Sequence, residues 1–129
     1  MQSNTGVKAF EAGGAIPAHA LVKLSSGKVV VCTATATDIP IGVARYAAAS
    51  GELVAVELLN AGGTIEMIAS EAISQGEAVY AAADGEVQDI PVAAGTYKMI
   101  GYAMDEATAD QDIIEVLPAG YTTTVTVGE

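Results

Sequence analysis

Apolar residues along this chain fall in short runs rich in Val and Ile, separated by breaks of Gly, Ser, Asn and Asp. Short apolar runs bounded by turn-forming residues, and recurring about every 8–12 positions, are the mark of antiparallel strands. They predict strands over residues 20–24, 28–32, 41–44, 53–58, 64–69, 78–81, 86–89, 99–104, 112–117 and 121–127. Turns are expected at Ser25-Ser26-Gly27, Ala49-Ser50-Gly51, Asn60-Ala61-Gly62-Gly63, Asp84-Gly85 and Pro118-Ala119-Gly120. Two alanine-rich stretches, 46–49 and 106–109, have the composition for a helical turn each but not the length of a stable helix. The pattern predicts an all-β fold, a small antiparallel sandwich or barrel.

The pattern also repeats. Ala15-Ile16, Leu21-Val22, Gly27, Lys28-Val29, Ile41-Gly42-Val43-Ala44 and Glu52-Leu53-Val54-Ala55-Val56 form one series. It is answered by Ala72-Ile73, Ala78-Val79, Gly85, Glu86-Val87, Ile100-Gly101-Tyr102-Ala103 and Asp112-Ile113-Ile114-Glu115-Val116. The offset grows from 57 to 60 residues in single steps, as expected of insertions in turns. Two copies are too few for a solenoid, so two β-meanders, 15–59 and 72–117, are expected to pack into one domain over 15–118. Gly is unfavourable inside an apolar strand unless the backbone needs room there. Gly42 and Gly101, at matching points, therefore predict a close backbone approach or a bulge in each copy. Residues 1–14 lack periodicity and are expected to form a flexible N-terminal arm. Residues 119–129 hold a Thr-rich strand or tail, able to close the chain's own sheet or to extend a neighbour's.

Composition narrows the function. The 129 residues include 16 Asp and Glu against 5 Lys and Arg, a net charge of −11. Such a surface repels phosphate backbones and anionic lipid, so nucleic-acid and membrane-surface partners are not expected. The longest apolar runs, such as Val29-Val30-Val31-Cys32, fall far short of the roughly 20 residues of a membrane span. A lone cysteine permits no intrachain disulfide, and synthesis in the cytoplasm is the simplest expectation. Alanine supplies 25 residues and aromatics only 5%. A core of small side chains buries little apolar area per residue, so stability is expected to draw on subunit contacts.

Candidate chemistry is sparse. His19 sits beside a turn with no acidic residue nearer in sequence than Glu11, and a general base needs a partner. Cys32 closes a run of three valines, as a buried inert thiol would. Zinc needs three or four His or Cys ligands, and the chain has two such residues in all. The acidic run Asp105-Glu106, Asp110-Gln111-Asp112 and Glu115 does not have the spacing of a calcium loop, and it reads as a solvated loop between strands. No metal, cofactor or catalytic residue is expected.

The phrases that repeat resemble a known family. Residues 15–56, with Ala-Ile-Pro-Ala-His-Ala-Leu-Val, Gly-Lys-Val-Val, Ile-Gly-Val-Ala and Ala-Ser-Gly-Glu-Leu-Val-Ala-Val, resemble the small capsid cement, or head decoration, proteins of tailed bacteriophages. Ala-Ile-Ser-Gln-Gly-Glu-Ala-Val-Tyr, Asp-Gly-Glu-Val, Ile-Gly-Tyr-Ala and Asp-Ile-Ile-Glu-Val over 72–116 look like the second half of that family. The resemblance implies a structural virion protein on the outer face of an expanded head. Its partner would be the major capsid protein, and decoration proteins of this kind often act as homotrimers. Contact through the arm at Gln2, Asn4, Val7, Lys8 and Phe10, and through Tyr121, Val125 and Val127 of the tail, is then expected. Two other classes compete: a carbohydrate- or small-ligand-binding β module, and an enzyme working through Asp105, Asp110 and Asp112.

Overall fold

In the computed structural model, residues 6–33, 38–60 and 62–127 are described. The first half supplies β1 (Val7–Glu11), β2 (Leu21–Ser25), β3 (Lys28–Val31), β4 (Gly42–Ala44) and β5 (Leu53–Leu58). The second supplies β6 (Ile65–Ile68), β7 (Ala78–Ala81), β8 (Val87–Gln88), β9 (Gly95–Ala103) and β10 (Ile113–Val127), with a 3-10 turn at Ala83–Gly85. β-branched runs form these strands because branched side chains suit the half-buried pleated surface. The β2–β3 link is a two-residue turn in which Ser26 and Gly27 take φ of 52° and 80°, the doubly left-handed geometry that matches strand twist.

The strands form two five-stranded antiparallel sheets, ordered β1-β5-β4-β2-β3 and β6-β10-β9-β7-β8, packed as a sandwich. The orders are the same once β1 is matched to β6, so the repeated sequence is a repeated topology. The order is not that of the expected meander. β4 returns beside β2 rather than β3, and β1 closes the outside of β5. Each sheet curls until its edges meet at one parallel bridge, Ala12 with Val29 in the first and Ala69 with Val87 in the second. Backbone bonds at 2.7 Å (Gly13 N–H to Val29 O) and 2.8 Å (Ser70 N–H to Val87 O) hold these seams.

Three expectations are corrected. Residues 7–12 do not belong to an arm: Val7–Glu11 pairs in full register with Leu53–Glu57, and Ala12 is completely buried. The repeat accordingly begins before residue 15, since β1 is the counterpart of β6. The alanine-rich stretches are not helical. Ala48 and Ala107 are instead bridged to Ile16 and Ile73, where tertiary pairing outweighs alanine's helix preference. The tail is longer than expected, because β10 runs unbroken from Ile113 to Val127, and its outer part pairs with Gly95–Met99 past a register shift between Pro118 and Thr123.

Gly42 and Gly101 mark close approach, as their positions predict. A Cβ on Gly42 would lie 2.2 Å from Glu57 O, and one on Gly101 2.1 Å from Leu117 O. The core divides in two. Ile16, Val22, Val29, Val54 and Val56 pack inside the first sheet with small alanines. The larger cluster fills the second sheet and takes in Leu21, Cys32, Val43 and Leu59 from the first.

Candidate interaction surface

The residues most able to carry chemistry are occupied with turns and burial. His19 takes φ of 68°, and its N–H donates to Ala44 O at 2.8 Å. Its counterpart, Gly76, takes φ of 90° and donates to Ala103 O at 2.7 Å. A glycine at the matching turn means that the backbone, not an imidazole, defines the position. Cys32 is buried, and desolvation pushes its thiol up to about 12, the Asp38 carboxylate adding to that and the Lys23 ammonium opposing it. A neutral thiol with so high a pKa is a poor nucleophile.

The acidic loop is likewise structural. One oxygen of Asp112 accepts the Thr108 N–H at 2.8 Å, the Thr108 hydroxyl at 3.0 Å and the Ala109 N–H at 3.2 Å. These bonds stabilise the charged carboxylate and hold its pKa below the usual range. At the matching turn of the first half, Glu52 accepts the Ala49 N–H at 2.7 Å. Asp105 accepts the Glu115 N–H at 3.2 Å, while Asp110 accepts from the Gln111 amide at 2.9 Å. No group of three or more His, Cys, Asp or Glu among the described residues is placed to hold a metal.

What the fold does build is surface. The halves join when the outer face of the first sheet, with Leu21, Cys32 and Val43, is covered by the second half. The turn at Ala83–Gly85 seals this joint: Gly85 N–H donates to Cys32 O at 2.9 Å. A Cβ on Gly85 would stand 2.9 Å from both Ala20 Cβ and Val31 Cγ1, so only glycine fits there. Large apolar side chains remain exposed elsewhere, among them Leu24 and Ile39 on the first half and Ile90, Tyr102 and Leu117 on the second. Tyr102 and Leu117 face one another across β9 and β10. Leu24, Ile39 and Ile41 line an open groove of about 380 Å³ with Lys23 and Asp38, which form an ion pair at 2.5 Å. The bond from Lys23, and then those from Thr33, hold the Asp38 carboxyl below its ordinary range.

The expected contact residues are split between several settings. Gln2 and Asn4 lie outside the described residues. Val7, Lys8 and Phe10 stand on β1, where Phe10 packs against the first core and the Lys8 ammonium lies 5.9 Å from its ring centre. Val125 and Val127 are half-buried on the outer part of β10, opposite Tyr97 and Gly95, and Tyr121 belongs to the same strand. Sequence reasoning missed Leu24, Ile39, Ile90, Tyr102 and Leu117. The charge distribution offered a signal: residues 1–60 hold four acidic and four basic side chains, while 61–129 hold twelve acidic and one basic.

The duplicated sandwich ties Asp112, Asp105 and Glu52 into turns, buries its thiol and leaves large apolar side chains exposed on its surface, where they are open to contact with other molecules. Comparison with known proteins makes this specific. The chain belongs to the phage cement protein family, whose profile matches residues 1–118. No curated protein matches the sequence. Among solved structures it is similar to the head fiber gp8.5 N base of bacteriophage phi29. That likeness has a TM-score of 0.70 at 19% identity, covering 91% of this chain and 96% of the other. It establishes a shared fold, and the family makes this a structural, virion-associated protein.

Proposed function

We propose that this protein, made in the host cytoplasm, decorates the outer surface of an expanded bacteriophage head as a homotrimer and clamps neighbouring major capsid subunits together. The family match across residues 1–118 carries this reading. Physical chemistry supports it, because a trimer gains from avidity: once one protomer docks, the others bind as if intramolecularly. Two segments are suited to reach the capsid. One is the stretch before β1 that holds Gln2 and Asn4; the other is the ribbon of Gly95–Met99 with 123–127, where a two-stranded element gains stability by packing on a partner.

The test mixes purified protein with expanded and unexpanded heads, sediments them, and measures the temperature at which genome is released. Co-sedimentation with expanded heads and a higher release temperature are expected. Failure to bind either form would overturn the proposal. Because β1 is integral to the sheet, the arm is tested by removing residues 1–5 only. Lost binding with an unchanged circular dichroism spectrum assigns the anchor to the arm, and retained binding assigns it to the ribbon.

A further inference from the structure

Internal repetition offers a test that a single domain lacks, since each surface of one half has a counterpart on the other. The joint between the halves uses the outer face of the first sheet and the open side of the second. Leu21, Cys32 and Val43 on that outer face are 0%, 0% and 1% exposed. Strand register matches Leu21 and Val43 to Ala78 and Tyr102, and the 58-residue offset between Val29 and Val87, carried past the end of β8, matches Cys32 to Ile90. Of these, Ile90 is 54% and Tyr102 44% exposed, with Leu117, opposite Tyr102 across β9 and β10, at 43%.

The receiving side shows the reverse. Met67, Ala81 and Ile100 of the second half lie in the cluster that receives Leu21, Cys32 and Val43. Their counterparts by register are Phe10, Leu24 and Ile41. Of these, Leu24 and Ile41 line the open groove, where Leu24 is 54% and Ile39 62% exposed, while Phe10 packs against the first core. The turns follow suit: Gly85 is wedged against the first half, while a Cβ on its counterpart Gly27 would meet nothing within 4 Å. Two of the apolar surfaces left open are thus ones whose counterparts cover one another inside the chain, apart from the other exposed apolar residues Tyr46, Leu53, Val92 and Ile113.

We propose that a second copy of this chain covers them. The Ile90, Tyr102 and Leu117 face of one copy seats on the Leu24, Ile39 and Ile41 groove of the next, repeating between chains the contact that joins the halves within one. Charge favours this pairing over a symmetric one. The open second-half face belongs to a segment with twelve acidic side chains and one basic, so two such faces repel, whereas the first half is balanced at four of each. The contact is head-to-tail, so it closes into a ring or propagates. It builds on the self-association in the reading above but not on capsid attachment, and it is tested in solution without heads.

Leu117→Glu spoils one face, and it installs the residue that the first half carries at the matching Glu57. Leu24→Glu spoils the other, and the like charges keep the two altered faces from pairing. Native mass spectrometry, with folding checked by circular dichroism, reads the result. The unaltered protein is expected as an oligomer and each variant alone as a folded monomer. An equal mixture of the two variants is expected to stop at a one-to-one dimer, because one good face and one good groove remain. A monomeric unaltered protein at all micromolar concentrations, variants that keep the parent mass, or a mixture that stays monomeric would each overturn the proposal.

Discussion

The two halves of this protein share a strand order and a pair of seam bridges, yet they solve the problem of an outer sheet face in opposite ways. In the first half that face is apolar and covered; in the second it carries Tyr102 and Leu117 and is open. The first half is also electrically balanced, while the second holds the whole surplus of negative charge. Duplication with divergence has kept the strand order, lengthened β9 and β10 in the second half, and changed what each copy shows to its surroundings. The lesson is that topology and surface are separable: the hydrogen-bond ladders tolerate either a buried valine at 43 or a half-exposed tyrosine at 102.

That contrast can be broken by substitution. Leu21→Ala makes the covered face resemble the open one, where Ala78 stands at the matching position. It should cost about 2–5 kcal/mol in urea denaturation. Tyr102→Ala should cost about 0.5 kcal/mol or less in the dilute single chain, as exposed sites do. Equal losses at the two sites would abolish the distinction between the faces.

The glycine pair tests the opposite point, that the halves share one backbone plan. Gly42→Ala and Gly101→Ala each drive a Cβ into a neighbouring carbonyl oxygen, and each should lose about 3 kcal/mol, the upper end of the cost of overpacking. A mild effect at one and a severe effect at the other would show that the ladders are not equivalent.

Cys32 reports the joint through pH. Its folded thiol holds the proton to about 12, above the ordinary value near 9, so its share of stability is complete below pH 9 and is lost as pH rises toward 12. The loss has a slope of up to about 1.4 kcal/mol per pH unit. Denaturation between pH 8 and 11 should therefore fall more steeply for the parent than for Cys32→Ala. Parallel slopes would place the thiol outside the joint.

The smallest difference between the halves concerns the paired turns. Gly27→Ala and Gly85→Ala both force a side chain into a left-handed backbone, at about 1–2 kcal/mol each. Gly85→Ala should lose about 1 kcal/mol more, because its Cβ also meets Ala20 and Val31. Identical thermal shifts would mean that the second turn does not seal the joint.

Much of this was legible in the sequence, and the failures have physical causes. Valine-rich runs and glycine turns located β2 to β8 because a half-buried strand demands alternating apolar residues. β1 escaped because Val7-Lys8-Ala9-Phe10-Glu11 mixes charges into the alternation and stands before Gly13-Gly14. One signal was present: Ala12 and Ala69 are 57 residues apart, the same offset as Ala15 and Ala72. Strand order was hidden because a period of two tells which face a residue takes and not which strand lies beside it. The partner of the Thr-rich strand was hidden because Gly95-Thr96 has no apolar pattern of its own. The interaction surface was least legible, since exposure at Tyr102 has meaning only beside burial at Val43.

The separation of the two sheets has a consequence during synthesis. Among the described residues no ladder or bridge links a strand of the first half to one of the second, so the first half can complete its pairing while the second is still being translated. At about 5–20 residues per second, the rest of the chain takes several seconds more to emerge. Throughout that interval Leu21, Cys32 and Val43 meet water rather than the second core, and the nascent first half is the species most exposed to aggregation. The acidic second half then arrives on a short tether and covers the patch, serving its own N-terminal twin as a built-in chaperone.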